Sequence, residues 1–199
     1  MNPHLLEKPT KQVIEEQRFT LSGVTWQEYE ILRATMDNFP GLRMTYLKGT
    51  LELFMPSPEH ETIKKTMARL IELYSIETNI RLYGCGSTTY RKKAKERGLE
   101  PDESYCIGRV KEFPDLAIEV IITSGTIDKL DVYQGLGVPE VWFWQNEQLC
   151  LYYLQDGKYE EITRSKFLPD LDLDLLANCV KMPDQYDAIV EFRNAIRGK

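Results

Sequence analysis

Paired cysteines, long apolar runs and surplus positive charge are all missing from this sequence. The four cysteines, Cys85, Cys106, Cys150 and Cys179, form no CxxC pair. Without CxxC and a following His pair, a structural zinc site is excluded. Each cysteine sits among apolar or small residues, as buried free thiols do. That usage predicts a reducing, cytoplasmic setting. No apolar run approaches the roughly 18 residues a membrane span needs. The opening MNPHLLEKPTKQ has no apolar core of a signal peptide, so neither secretion nor a membrane partner is expected. Net charge is −6, whereas a protein that coats nucleic acid is usually basic. An enzyme with a carboxylate-rich metal site and one local basic patch remains compatible with that balance.

What is present is enough for one folded domain. The 199 residues include 11 tyrosines, which argues against extensive disorder. Residues 1–18 are polar, with prolines and mixed charge, and read as a flexible N-terminal arm. Residues 19–199 read as a single domain. Thr25-Trp26-Gln27-Glu28 is a capping box, predicting a helix to about Asn38. LRMTYLKGTLELFM, residues 42–55, alternates on both sides of Lys48-Gly49 and predicts a hairpin. A helix from about Glu59 to Thr78 follows from the three- and four-residue spacing of Ile63, Met67, Leu70, Ile71 and Tyr74. Short segments at 80–90, 101–107 and 114–123 read as strands, with a turn at Gly84 and Gly86. Then come a helix from Ile127 to Leu136, a strand at 140–145, a hairpin at 149–162 turning on Asp156-Gly157, and a last helix near 183–196. The strand–helix–strand unit at 115–145 predicts a central mixed sheet flanked by helices, an α/β (α+β) fold. Of Trp142, Phe143 and Trp144, one or two are expected to face the core.

The strongest chemical signal lies between Pro101 and Lys129. Two Pro-Asp dipeptides place Asp102 and Asp115 at strand starts. Glu119 stands inside the apolar run DLAIEVII. Strand alternation puts Asp115, Ala117 and Glu119 on one face. A carboxylate there is costly unless paired or metal-bound. Two readings stay open on these grounds, a buried ion pair and a site for a hard cation. Lys129 lies ten residues after Glu119, just inside the next helix, where the short connection could return it to the end of that strand. The run Arg91, Lys92, Lys93, Lys95, Arg97 is basic, either a solvated loop or a contact for DNA phosphates. His60, without a partner motif, reads first as a residue of a helix start.

GLEPDESYCIG, PDLAIEVIITSGTIDKLDVYQGLGVPEVWFW and GTLELFMPSPEHE resemble the Uma-type family of bacterial putative restriction endonucleases, within the PD-(D/E)XK nuclease superfamily. The likeness spans roughly residues 20–165. It implies a restriction-endonuclease-like core with an added N-terminal helix and hairpins, Mg²⁺ (or Mn²⁺) as cofactor, and DNA as substrate. It assigns Asp102, Asp115, Glu119 and Lys129 to catalysis, with Asp102, Asp115, Glu119 and Glu52 as metal ligands and His60 as an accessory. A standard E-x-K motif would put lysine at position 121, where this sequence has Ile121. Lys129 must therefore replace it, or the protein is an inactive relative that binds without cutting. A homodimer is expected if single-site subunits cut both strands.

Overall fold

The computed structural model describes residues 15–198. The expected arm lies outside the described residues as far as residue 14. Its last residues belong to the fold, because strand β1 (Gln17–Ser22) pairs antiparallel with β3 (Thr50–Met55). Alternation in QRFTLS is weak, since its outer positions are exposed, and this hides the strand in the sequence.

A first sheet has the order β1, β3, β2 (Arg43–Leu47), β6 (Arg97–Leu99), β5 (Tyr90–Lys92). The β2–β3 hairpin turns at Lys48 and Gly49, both at positive φ, as its two-residue connection requires. Helix α1 (Trp26–Met36) has the predicted capping box, with Thr25 and Glu28 bonded reciprocally. Its Tyr29 stacks on Tyr46 of β2. The basic run is not one loop. It forms β5, a 3₁₀ turn over Lys93–Lys95, and β6.

A second sheet has the order β11 (Lys158–Ile162), β10 (Gln148–Gln155), β9 (Glu140–Gln145), β8 (Leu116–Ile121), β7 (Glu103–Ile107), β4 (Leu82–Gly84). β8 and β9 run parallel, and the other neighbours antiparallel. Helix α3 (Lys129–Leu136) makes the crossover between them, as the strand–helix–strand reading predicts. A further helix, α4 (Leu173–Val180), precedes α5 (Gln185–Arg197). Both faces of this sheet are covered. Ile118, Val120, Trp142 and Trp144 pack against Met67, Leu70 and Ile71 of α2 (Pro58–Glu77) and Phe192 of α5. Ala117, Val141 and Phe143 pack against Val132, Tyr133 and Leu136 of α3. All three aromatics of Trp142-Phe143-Trp144 are therefore buried, more than an alternating strand with one wet face allows. Among the described residues no helix is long and apolar enough to cross a membrane. All four cysteines are free, and only Cys106 and Cys179 are fully buried.

Candidate functional site

Glu119 lies in the centre of β8, wholly buried. Its partners come from α3. Asp128 caps that helix by accepting from the amides of Leu130 and Asp131, so the helix starts at Lys129. One turn separates Lys129 from Tyr133, which puts both side chains on one face. Lys129 Nζ donates to Glu119 Oε2 at 2.5 Å, and the Tyr133 hydroxyl donates to Glu119 Oε1. Burial, reinforced by the Glu119 charge, pushes the Tyr133 phenol well above its usual range, so it stays a donor. Arg97 fixes the helix from the side of the first sheet, donating to the Asp131 carbonyl at 2.8 Å and to its carboxylate at 2.6 Å. Gly135 makes this possible, since a Cβ there would strike the Arg97 side chain.

Asp102 occupies the neighbouring strand. The β7–β8 register pairs Glu103 with Ile118. One step further sets Asp102 opposite Glu119. Its Oδ2 accepts from the Val120 amide at 2.7 Å. Its Oδ1 faces His60 Nε2 at 2.8 Å and is ion-paired with Arg43 of β2. His60 is buried at the start of α2, where Ser57 caps the helix. Its other nitrogen, Nδ1, lies 2.8 Å from Glu16. Burial pushes the imidazole down to about 4, against the pull of the Glu16 hydrogen bond. A neutral ring has one N–H, and ionised carboxylates only accept. The ring therefore donates to either Glu16 or Asp102.

Glu52 of β3 completes the wall. Its Oε1 accepts from Arg18 at 2.9 Å and its Oε2 from the Thr126 amide at 3.1 Å. Gly125 leaves room for that carboxylate, which a Cβ would hit. Beside Glu52 and Lys129 lies a cavity of about 250 Å³, lined by Arg18, Glu52, Ile121, Lys129 and Tyr152 among others, while Glu119, Asp102 and His60 sit behind its wall.

The structure thus brings together Asp102, Glu119, Lys129, Glu52 and His60 around the end of β8. It does not bring Asp115 with them. Asp115 precedes β8, and four residues of strand put it about 13 Å from Glu119. Sharing a face is not sharing a site. Asp115 instead binds Lys111 at 2.6 Å and the Ile107 amide at 2.7 Å. The basic run does not line the cavity either. Arg97 is spent on Asp131, Arg91 pairs with Glu30, and Lys92 donates to the Leu136 carbonyl. Lys93 and Lys95 are exposed on the 3₁₀ turn. Sequence reasoning missed Glu16, Arg18, Arg43 and Tyr133. Only Tyr133 carries a legible signal, its helical spacing from Lys129.

The carboxylates Glu16, Glu52, Asp102 and Glu119 face the cations Arg18, Arg43 and Lys129, leaving one negative charge in surplus. Among the described residues no three His, Cys, Asp or Glu side chains gather as a ready-made cage. Mg²⁺ does not need one, because it is held by one or two carboxylates together with waters and substrate phosphates. Glu119 and Asp102 offer oxygen donors of that kind, each already bonded to a protein partner. A family model described as Uma2, "Putative restriction endonuclease", matches residues 26–180. No curated protein matches the chain.

Proposed function

The chain belongs to the Uma2 family of putative restriction endonucleases, and we propose that it is a metal-dependent endonuclease that hydrolyses DNA phosphodiester bonds at the cavity before Glu119. The observation that carries this reading is the contact of Lys129 with Glu119 beside Ile121. Ile121 and Lys129 line the same cavity. A helix lysine therefore reaches the space that a strand lysine at 121 would fill.

Glu119 and Asp102 would hold Mg²⁺ or Mn²⁺, with Glu52 at the rim. Bound there, the ion supplies a Lewis acid and an acidified water. The remaining work falls to side chains of this protein. Lys129 carries a positive charge from the buried carboxylate to the cavity wall, where it stabilises charge developing on a phosphoryl oxygen and orients the attacking water. Tyr133 holds the other Glu119 oxygen, so the carboxylate has one orientation. Arg43 and His60 do the same for Asp102. Phe143 and Ile121 give the cavity an apolar side, which strengthens the electrostatic interactions within it.

The test is cleavage of plasmid DNA with Mg²⁺ or Mn²⁺ by wild type and by Glu119→Ala. Wild type is expected to cut and the variant to be inactive. Equal activity in both sinks the assignment. Asp115→Asn is expected to cut like wild type and to lose only about 1 kcal/mol of stability, since its Lys111 partner is 36% exposed and the amide oxygen still accepts from Ile107. A second reading, a nuclease fold that binds without cutting, is favoured by one observation. Each oxygen of Asp102 and Glu119 already has a partner. It predicts no metal-dependent cleavage by wild type.

A further inference from the structure

Residues 26–180 match the family, yet two charged side chains before residue 26 are built into the site. The Glu16 side chain is 1% exposed. One of its oxygens meets His60 Nδ1 at 2.8 Å. The other accepts from the Thr123 amide at 3.0 Å and from the Thr123 hydroxyl. Arg18 donates through Nε to Thr123 Oγ1 at 3.3 Å and through NH1 to Glu52 at 2.9 Å. Its guanidinium lies 3.8 Å over the Phe54 ring. Glu52 in turn holds the Thr126 amide.

These bonds converge on one segment, residues 122–128, which connects β8 to α3 and so delivers Lys129. That segment has no strand or helix ladder of its own. Its polar anchors are Glu16 at Thr123, Glu52 at Thr126 and Thr20 at the Thr126 hydroxyl. Through His60, the same Glu16 also reaches Asp102. We infer that Glu16 is a positioning residue, with Arg18 as its brace, clamping the 122–128 segment to the His60–Asp102 pair so that Lys129 and Asp102 keep one mutual arrangement. A surface ion pair would not do this. The Glu16, Glu52 and His60 side chains are almost wholly desolvated, and removing one leaves others without partners.

The clamp rests on the nuclease reading for one of its two readouts only. The first is hydrogen exchange of the full chain without metal, comparing wild type with Glu16→Gln. Exchange in 122–128 is expected to speed by about tenfold or more while β8 and β9 stay protected, as for local opening of an anchored segment. The second is steady-state cleavage with Mg²⁺. For Glu16→Gln, kcat is expected to fall about 10- to 100-fold, as for groups that orient metal ligands, with KM within about twofold of wild type, because a positioning defect is not a loss of uniform binding. Unchanged exchange in 122–128 overturns the clamp, whatever the protein cuts. Faster exchange with unchanged kcat in an active protein also overturns it, since the segment then positions nothing the reaction uses. If wild type cuts no DNA, the nuclease reading falls and exchange alone decides. Should Glu16→Gln fail to fold, Thr123→Ala removes one contact of Glu16 and one of Arg18 and is read the same way.

Discussion

Lys129→Met is expected to abolish cleavage and, in chelator, to cost about 3–5 kcal/mol of folding stability, the range for breaking a buried pair. The argument starts from burial. Glu119 has no exposure, and among the described residues Lys129 Nζ at 2.5 Å is its one cationic partner. Methionine matches the length of the lysine stem but leaves the carboxylate with Tyr133 alone. Divalent cations then distinguish two accounts of the pair. If Glu119 is a ligand, Mg²⁺ supplies the missing charge, and at a hundredfold excess over Kd it returns about 2.7 kcal/mol. Denaturant melts in chelator and in Mg²⁺ measure the difference. A variant whose stability is the same in chelator and in Mg²⁺ means that no ion takes up the Glu119 charge. In either case cleavage should not return, because the cation at the cavity wall is gone. Cleavage at the wild-type rate would overturn the role given to Lys129.

The contrast between Glu119 and Asp115 shows how far the sequence could be read. An ionisable residue in DLAIEVII is anomalous by composition, and strand alternation locates its face. Both facts are local, so both were legible. The step from Glu119 to Lys129 was also legible, because ten residues and a capped helix leave the chain few places to go. Asp115 satisfied the same rule of alternation and failed on distance, about 13 Å for four strand residues. The distance argument was available from the sequence as well. Glu16, Arg18 and Arg43 were not legible, because their sequence separations from the groups they bind are long. Arg18 meets Thr123 across 105 residues, and Glu16 meets it across 107. Such pairings depend on how the first sheet docks on the second, and no local pattern encodes that. The same holds for the basic run, whose charges look free in sequence, whereas Arg91 and Arg97 pair with carboxylates of helices α1 and α3. In the fold, the hairpins and long helices followed from turn and periodicity signals. β1 and α4 did not, β1 because its outer face is exposed and α4 because eight residues span barely two turns.

Asp102→Ala is expected to lose cleavage and about 3–5 kcal/mol of stability. That loss is large because Asp102 serves three donors at once. Removing it leaves His60 Nε2 and the Val120 amide buried without their acceptor, each at a desolvation cost of about 1–3 kcal/mol, and leaves Arg43 with Glu61 as its remaining carboxylate. Loss of cleavage in that variant is therefore ambiguous, since a broken scaffold also stops an enzyme. The double variant Asp102→Leu/Arg43→Met separates the causes. Replacing both members of a buried ion pair with apolar groups of similar size is often neutral or stabilising, so the double variant should recover part of the stability that Asp102→Ala loses. His60 and Val120 still lack an acceptor, which keeps the recovery incomplete. Equilibrium unfolding and plasmid cleavage on the same preparations read both quantities. Stability that recovers while cleavage stays absent makes the Asp102 carboxylate a requirement of the chemistry. Cleavage that returns together with stability reduces Asp102 to an anchor for Arg43 and His60, and leaves Glu119 as the candidate ligand on its own.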